Sequence, residues 1–166
     1  MNTLLKINDL MIDDIVLAEA IWYDDEDEEH IELHPFRVGG VSKTNSIWID
    51  GYECGLEGEW LDGCQIEHIG DIYGMPFTKE TAIANGFEIE AEGGSSAVCN
   101  LRTADAVIAV FLIGDNYVVN VEHHIAFNGT YAVNSAHKCG RFIHEYQHAL
   151  RDCDLKDIAN KMKVKP

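Results

Sequence analysis

Eight consecutive apolar residues, Ala106 to Ile113, lie between Asp105 and Gly114 with no polar position to turn toward water. The run is far shorter than the roughly 20 residues of a membrane-spanning helix. Its β-branched and aromatic side chains suit a strand buried on both faces, which places it at the centre of a sheet. Gly114, Asp115 and Asn116 separate it from a second run, Tyr117 to His124, so residues 106–124 read as a β-hairpin. At 166 residues the chain is long enough to bury a core around such a hairpin without disulfide or metal staples.

Ahead of it, Leu5 to Ile12, Ile15 to Trp22, His30 to Val38, Ser46 to Tyr52 and Gln65 to Ile72 read as short extended segments broken by glycine or clustered acids. They predict a small β-barrel or a bent antiparallel sheet. Gly51 to Gly63 reads as an acidic loop that, without Lys or Arg, makes no phosphate cradle. Thr78 is the expected N-cap of a short helix, Lys79 to Asn85, that Gly86 stops. Phe87 to Glu90 alternates like an exposed strand, and Glu92 to Ser96 reads as a flexible connection or a hairpin loop. Phe142, Ile143, Tyr146, Ala149, Leu150 and Cys153 recur every three to four residues, as on one stripe of an amphipathic helix over 139–153. A short closing helix, Lys156 to Lys163, follows. The fold class expected is α+β, with an acidic β-rich part over 1–75 and an α+β part over 76–166, or the two combined in one domain.

Charge narrows the function classes. The chain carries 12 Lys and Arg against 29 Asp and Glu, a net charge of −17. Residues 1–98 hold 22 acids and 4 bases, whereas residues 99–166 hold 7 acids and 8 bases. Nucleic acids and anionic membranes are bound largely through Lys and Arg, so neither is an expected direct partner. A basic protein surface is, including one that imitation of DNA would engage. The densest block, Asp24, Asp25, Glu26, Asp27, Glu28 and Glu29, reads as a hairpin tip and the candidate partner-binding site. It lacks the spaced ligands and central glycine of a calcium loop. The N-terminal residues have neither the basic flank nor the apolar centre of a signal peptide, which predicts a cytoplasmic protein. Oligomeric state is not encoded in any pattern we recognise.

Five cysteines, Cys54, Cys64, Cys99, Cys139 and Cys153, contain no C-x-x-C pair and read as reduced, buried thiols. His144, Glu145, Tyr146, Gln147 and His148 spell H-E-x-x-H. On a helix this spacing puts two histidines on one face to ligate zinc, with the glutamate as general base. The third ligand is not evident in the 18 residues that follow, and His123, His124 or His137 could supply it only through the fold. On a helical wheel His144 and His148 point away from the apolar stripe, either into solvent or against another part of the molecule.

Three segments resemble a family of small uncharacterised proteins of phages and mobile elements of gut anaerobes. Leu5, Ile7, Asp9 and Leu10 are similar to its opening strand. Pro76, Phe77, Thr78, Glu80, Gly86 and Phe87 are similar to its central segment, and Ile143, His144, Glu145, Tyr146, Gln147 and Leu150 to its C-terminal [YVI]-H-E-[LY]-Q-[NH] signature. The resemblance implies a β-rich N-terminal part, a C-terminal helix and a host-cytoplasm setting. Its members often carry Asn where this chain has His148, which implies structural or interface roles for His144, Glu145 and Gln147. The function expected is a non-enzymatic acidic protein, without a cofactor, that engages a basic host protein. The alternative is a zinc-dependent hydrolase with His144 and His148 as ligands and Glu145 as catalytic base.

Overall fold

Val16, Ala18 and Ala20 fall at every second position and are all buried, the period of a strand that covers a core with one face. They belong to β1 (Ile15–Tyr23), which pairs antiparallel with β2 (Glu29–Val41) and with β4 (His68–Tyr73), while β3 (Ile47–Asp50) lies beyond β2. Among the described residues the order β3-β2-β1-β4 leaves two edges, so the sheet is open and not a closed barrel. The computed structural model describes residues 3–6, 9–23, 26–41, 47–50 and 68–164. Gly51 to Gly63, Cys54, Cys64, Asp24 and Asp25 lie outside the described residues. Ala18, Ala20 and Phe36 form one apolar cluster and Leu10, Val16 and Val38 another, and Ile72 packs against both.

Leu5 to Ile12, read as a strand, is not one among the described residues. Leu4 bridges Tyr73, and the Leu5 N–H donates to the Ile72 carbonyl at 2.8 Å. A turn then takes over. The Asp14 carboxylate accepts the Met11 N–H at 2.8 Å, and Asp13 adopts φ 69°. Aspartate tolerates left-handed backbone and bonds its own local amides, so turn chemistry overrides the apolar spacing.

The chain divides into two compact units, residues 1–75 with 164–166, and residues 76–163. The second unit holds an antiparallel sheet of β5 (Glu88–Gly93), β6 (Ser96–Arg102), β7 (Ala106–Ile113), β8 (Asn116–Phe127) and β9 (Thr130–Gly140), in that order. The apolar run is its central strand, β7, as its composition demands. Cys99, Ile108, Val110, Val119 and Val121 line the buried face. With the sheet go α1 (Lys79–Ala84), α2 (Ile143–Asp152) and α3 (Lys156–Asn160), and the architecture is α+β. Thr78 caps α1, its hydroxyl accepting the Thr81 N–H at 3.2 Å, and Gly86 ends it at φ 83°. Among the described residues, no helix is long and apolar enough to cross a membrane.

Of the two readings of Glu92 to Ser96, the hairpin is the one found, shorter than a long loop: a tight turn at Gly94 and Ser95, with Gly94 at φ 59°. Residues 139–140, read as the start of the C-terminal helix, belong to β9. That strand went unread because an edge needs little apolar surface: its residues are almost all exposed or half-buried, and backbone pairing to β8 along Tyr117–Phe127 holds it.

Candidate functional site

The H-E-x-x-H residues occupy the first turns of α2, and the backbone there explains the glutamate. Helices leave their first N–H groups without intrahelical partners, and a glutamate at the third position can reach back to them. Glu145 does this. Its Oε2 accepts the Phe142 N–H at 2.9 Å and the Arg141 N–H at 2.7 Å. Phe142, at the cap position, has no oxygen to offer in return, so Glu145 carries the helix start by itself. Glu145→Ala is therefore expected to lower stability by about 1 kcal/mol, whereas Glu145→Gln, whose amide oxygen can accept the same bonds, retains most of it. Urea unfolding of the two variants measures the difference.

His144 lies off the apolar stripe of the wheel yet is only 4% exposed, the second of the two placements that position allows. A wheel assumes one buried stripe, but α2 is covered on more than one side. Its sheet-facing residues Ile143, Tyr146, Ala149 and Leu150 are buried, and so is Gln147, whose Nε2 donates to the Ala159 carbonyl of α3 at 2.9 Å. The His144 ring stacks on Phe142 at 5.8 Å, with 13° between planes. His148 is half-buried, its ring 5.8 Å from that of His144.

The histidines considered as further ligands have other neighbours. His123 donates from Nδ1 to the Cys153 carbonyl at 2.8 Å, and its Nε2 lies 3.6 Å from Asp105. His137 bonds Asn120, and His124 stands 4.0 Å from Glu122. Among the described residues, no group of three or more His, Cys, Asp or Glu side chains gathers as metal ligands would. Cys99 and Cys153 are buried free thiols, and burial raises the pKa of both. Cys139, read as buried, is exposed because it lies on the edge strand β9.

Of the acidic block, the described Glu26, Asp27 and Glu28 fall between β1 and β2, and Glu29 opens β2 opposite Tyr23. Glu26, Asp27, Glu28 and Glu29 are exposed. Opposed residues of an antiparallel pair share a face, so Tyr23 and Glu29, Ile21 and Ile31, and Glu19 and Leu33 line the face opposite to the Val16, Ala18 and Ala20 side. That face keeps large apolar groups in water: Tyr23 is 42%, Ile31 54% and Leu33 40% exposed. Acids border them. The Tyr23 hydroxyl donates to Glu29 at 2.9 Å, and Glu19 accepts from the Tyr73 hydroxyl at 2.9 Å and the Asp71 N–H at 3.1 Å. The Glu19 carboxylate raises the Tyr73 pKa by holding its proton. This apolar row was not singled out from the sequence. The signal was there, because Ile21, Tyr23, Ile31 and Leu33 break the polar half of the strand alternation.

Compared with protein-family models, curated proteins and solved structures, the chain matches none.

Proposed function

We propose that the protein is a non-enzymatic binding module whose acidic N-terminal unit engages a basic protein surface. The observation that carries this is the outer face of β1 and β2, where exposed Tyr23, Ile31 and Leu33 lie beside the acidic hairpin tip. Protein interfaces put apolar and aromatic side chains at the centre and charge at the rim, and exposed apolar patches mark such sites. The 22 acids of residues 1–98 supply a long-range field that steers a basic partner toward that centre. The resemblance to phage and mobile-element proteins supports a partner in the host cytoplasm. A defence nuclease, whose nucleic-acid channel is basic, fits the charge, and the acidic surface then acts as a mimic of nucleic acid.

The test is affinity capture from host lysate over a salt series, with three baits: the wild-type chain, Ile31→Ser/Leu33→Ser, and Glu26→Gln/Asp27→Asn/Glu28→Gln/Glu29→Gln. The wild type is expected to retain a basic protein at low salt and to lose it as screening increases. Neutralising the tip should weaken capture and flatten its salt dependence, and polar replacement of the apolar pair should abolish capture. Retention of nothing at low salt, or of the same protein by all three baits, would sink the proposal.

A further inference from the structure

Strand β9 forms one edge of the second sheet, and among the described residues its only strand partner is β8. An edge strand presents a row of unpaired N–H and C=O groups, which natural sheets blunt with charges, proline or a break in register. The opposite edge, β5, is blunted in this way. It carries Glu88, Glu90 and Glu92, and its register to β6 shifts between Ile89 and Ala91. Strand β9 lacks these devices over most of its length. Thr130 to Ala136 contains no charge and no proline, Tyr131 is 83% exposed and Val133 is exposed too, and the pairing to β8 runs unbroken from Thr130 to Gly140. Its one charged residue, Lys138, is paired with Asp152 of α2.

The turn before β9 decides which of its backbone groups face outward. Asn128 and Gly129 have φ of 49° and 79°, as a two-residue hairpin turn requires, with Phe127 opposite Thr130. Such a turn closes by a bond between its flanking residues, so Thr130 and each second residue after it bond to β8. Tyr131, Val133, Ser135, His137 and Cys139 therefore turn their N–H and C=O groups away from β8. That set is symmetric about Ser135. An identical strand laid antiparallel, with Ser135 opposite its own copy, meets every outward donor with an acceptor and every acceptor with a donor. The same register sets Tyr131 of one copy opposite Cys139 of the other. Val98, Phe111, Val118 and Cys139, each opposite the next, form a row across one face of the sheet that ends at this edge, and Tyr131 of the second copy continues it. Charge permits the contact. Residues 76–163 hold 11 acids against 8 bases, close to balance. Each Lys138 stands opposite Ala132 of the other copy, which keeps the two lysines about 20 Å apart along the seam, beyond the roughly 10 Å screening length of 0.1 M salt.

We propose that β9 is a homodimer seam, in which two copies of this chain pair antiparallel about a twofold axis at Ser135 and join their second-unit sheets into one. The contact lies on the second unit and is independent of the basic-partner reading.

Sedimentation velocity of the full chain is expected to show a monomer that becomes a dimer as concentration rises. Ser135→Lys sets like charges directly against each other at the axis and should weaken the dimer about fivefold, and Ser135→Glu should do the same. An equimolar mixture of the two variants should recover the dimer, because unlike charges then meet, and that recovery shows both variants folded. Hydrogen exchange locates the seam. The amides of Val133, Ser135 and His137 should gain protection as the dimer forms, whereas those of Ala132, Asn134 and Ala136 are protected at every concentration. A dimer that Ser135→Lys does not weaken, a mixture no more associated than either variant alone, or a dimer without new protection at Ser135 would each overturn the proposal. So would a monomer at the highest soluble concentration: slow exchange at Ser135 would then assign the edge to another segment of this chain, and fast exchange would leave it to a strand of another protein.

Discussion

Gly140→Ala is expected to destabilise the second unit by about 3 kcal/mol, at the upper end of what overpacking a close-packed site costs. Gly140 stands opposite Tyr117 in the β8–β9 register, and the tyrosine ring folds over it. A β-carbon at 140 would collide with the Tyr117 hydroxyl, lie 2.6 Å from the ring carbon that bears it, and come within 3.1 Å of Glu145 Oε2. Neither neighbour can step aside cheaply. The ring is wedged 5.3 Å from Phe77 and tied by its hydroxyl to Phe142, and the carboxylate holds the start of α2. A glycine in a strand often marks such an approach. Urea unfolding checks the value, and Tyr117→Ala/Gly140→Ala separates the clash from other effects. If the clash is the cause, the added methyl costs little once the ring is gone, and the double variant is more stable than the sum of the singles.

Legibility in the sequence followed the physics of each segment. The β7–β8 hairpin was readable because an apolar run flanked by Gly114, Asp115 and Asn116 has one good solution. Helix α1 was readable because Thr78 and Gly86 do local work at its two ends. Strand β9 was not, since Thr130–Gly140 is held by its neighbour's backbone, which no side-chain pattern reports. The H-E-x-x-H residues were legible as a helix but not in their roles. Glu145 answers to two amides that precede it, and His144 to a ring two residues before it, whereas the motif describes only the spacing of the three side chains. Each half of the exposed row shows in the alternation of its own strand, but their union into one surface was visible only once register placed Ile21 opposite Ile31. Spacing along one strand gives a face, but which faces join into a surface is decided by pairing.

Gln147 illustrates the same point on the energetic side, and Gln147→Ala is expected to cost about 3 kcal/mol. A glutamine within a helix reads as a solvated residue, yet it is fully buried here. Its Nε2 donates to the Ala159 carbonyl, near the C-terminus of α3, where backbone oxygens have no intrahelical donor. With five residues α3 is far too short to persist alone, so it depends on what α2 and its own buried Ala159 give it. Truncation to alanine leaves both a cavity and an unpaired carbonyl. Gln147→Leu refills the volume and leaves only the carbonyl, which should bring the loss down to about 1–2 kcal/mol. Chemical denaturation gives the two values, and hydrogen exchange locates them: the α3 amides should lose protection in both variants, and more in Gln147→Ala. Equal stability of Gln147→Leu and the wild type would show that packing, and not the bond to Ala159, holds α3 in place.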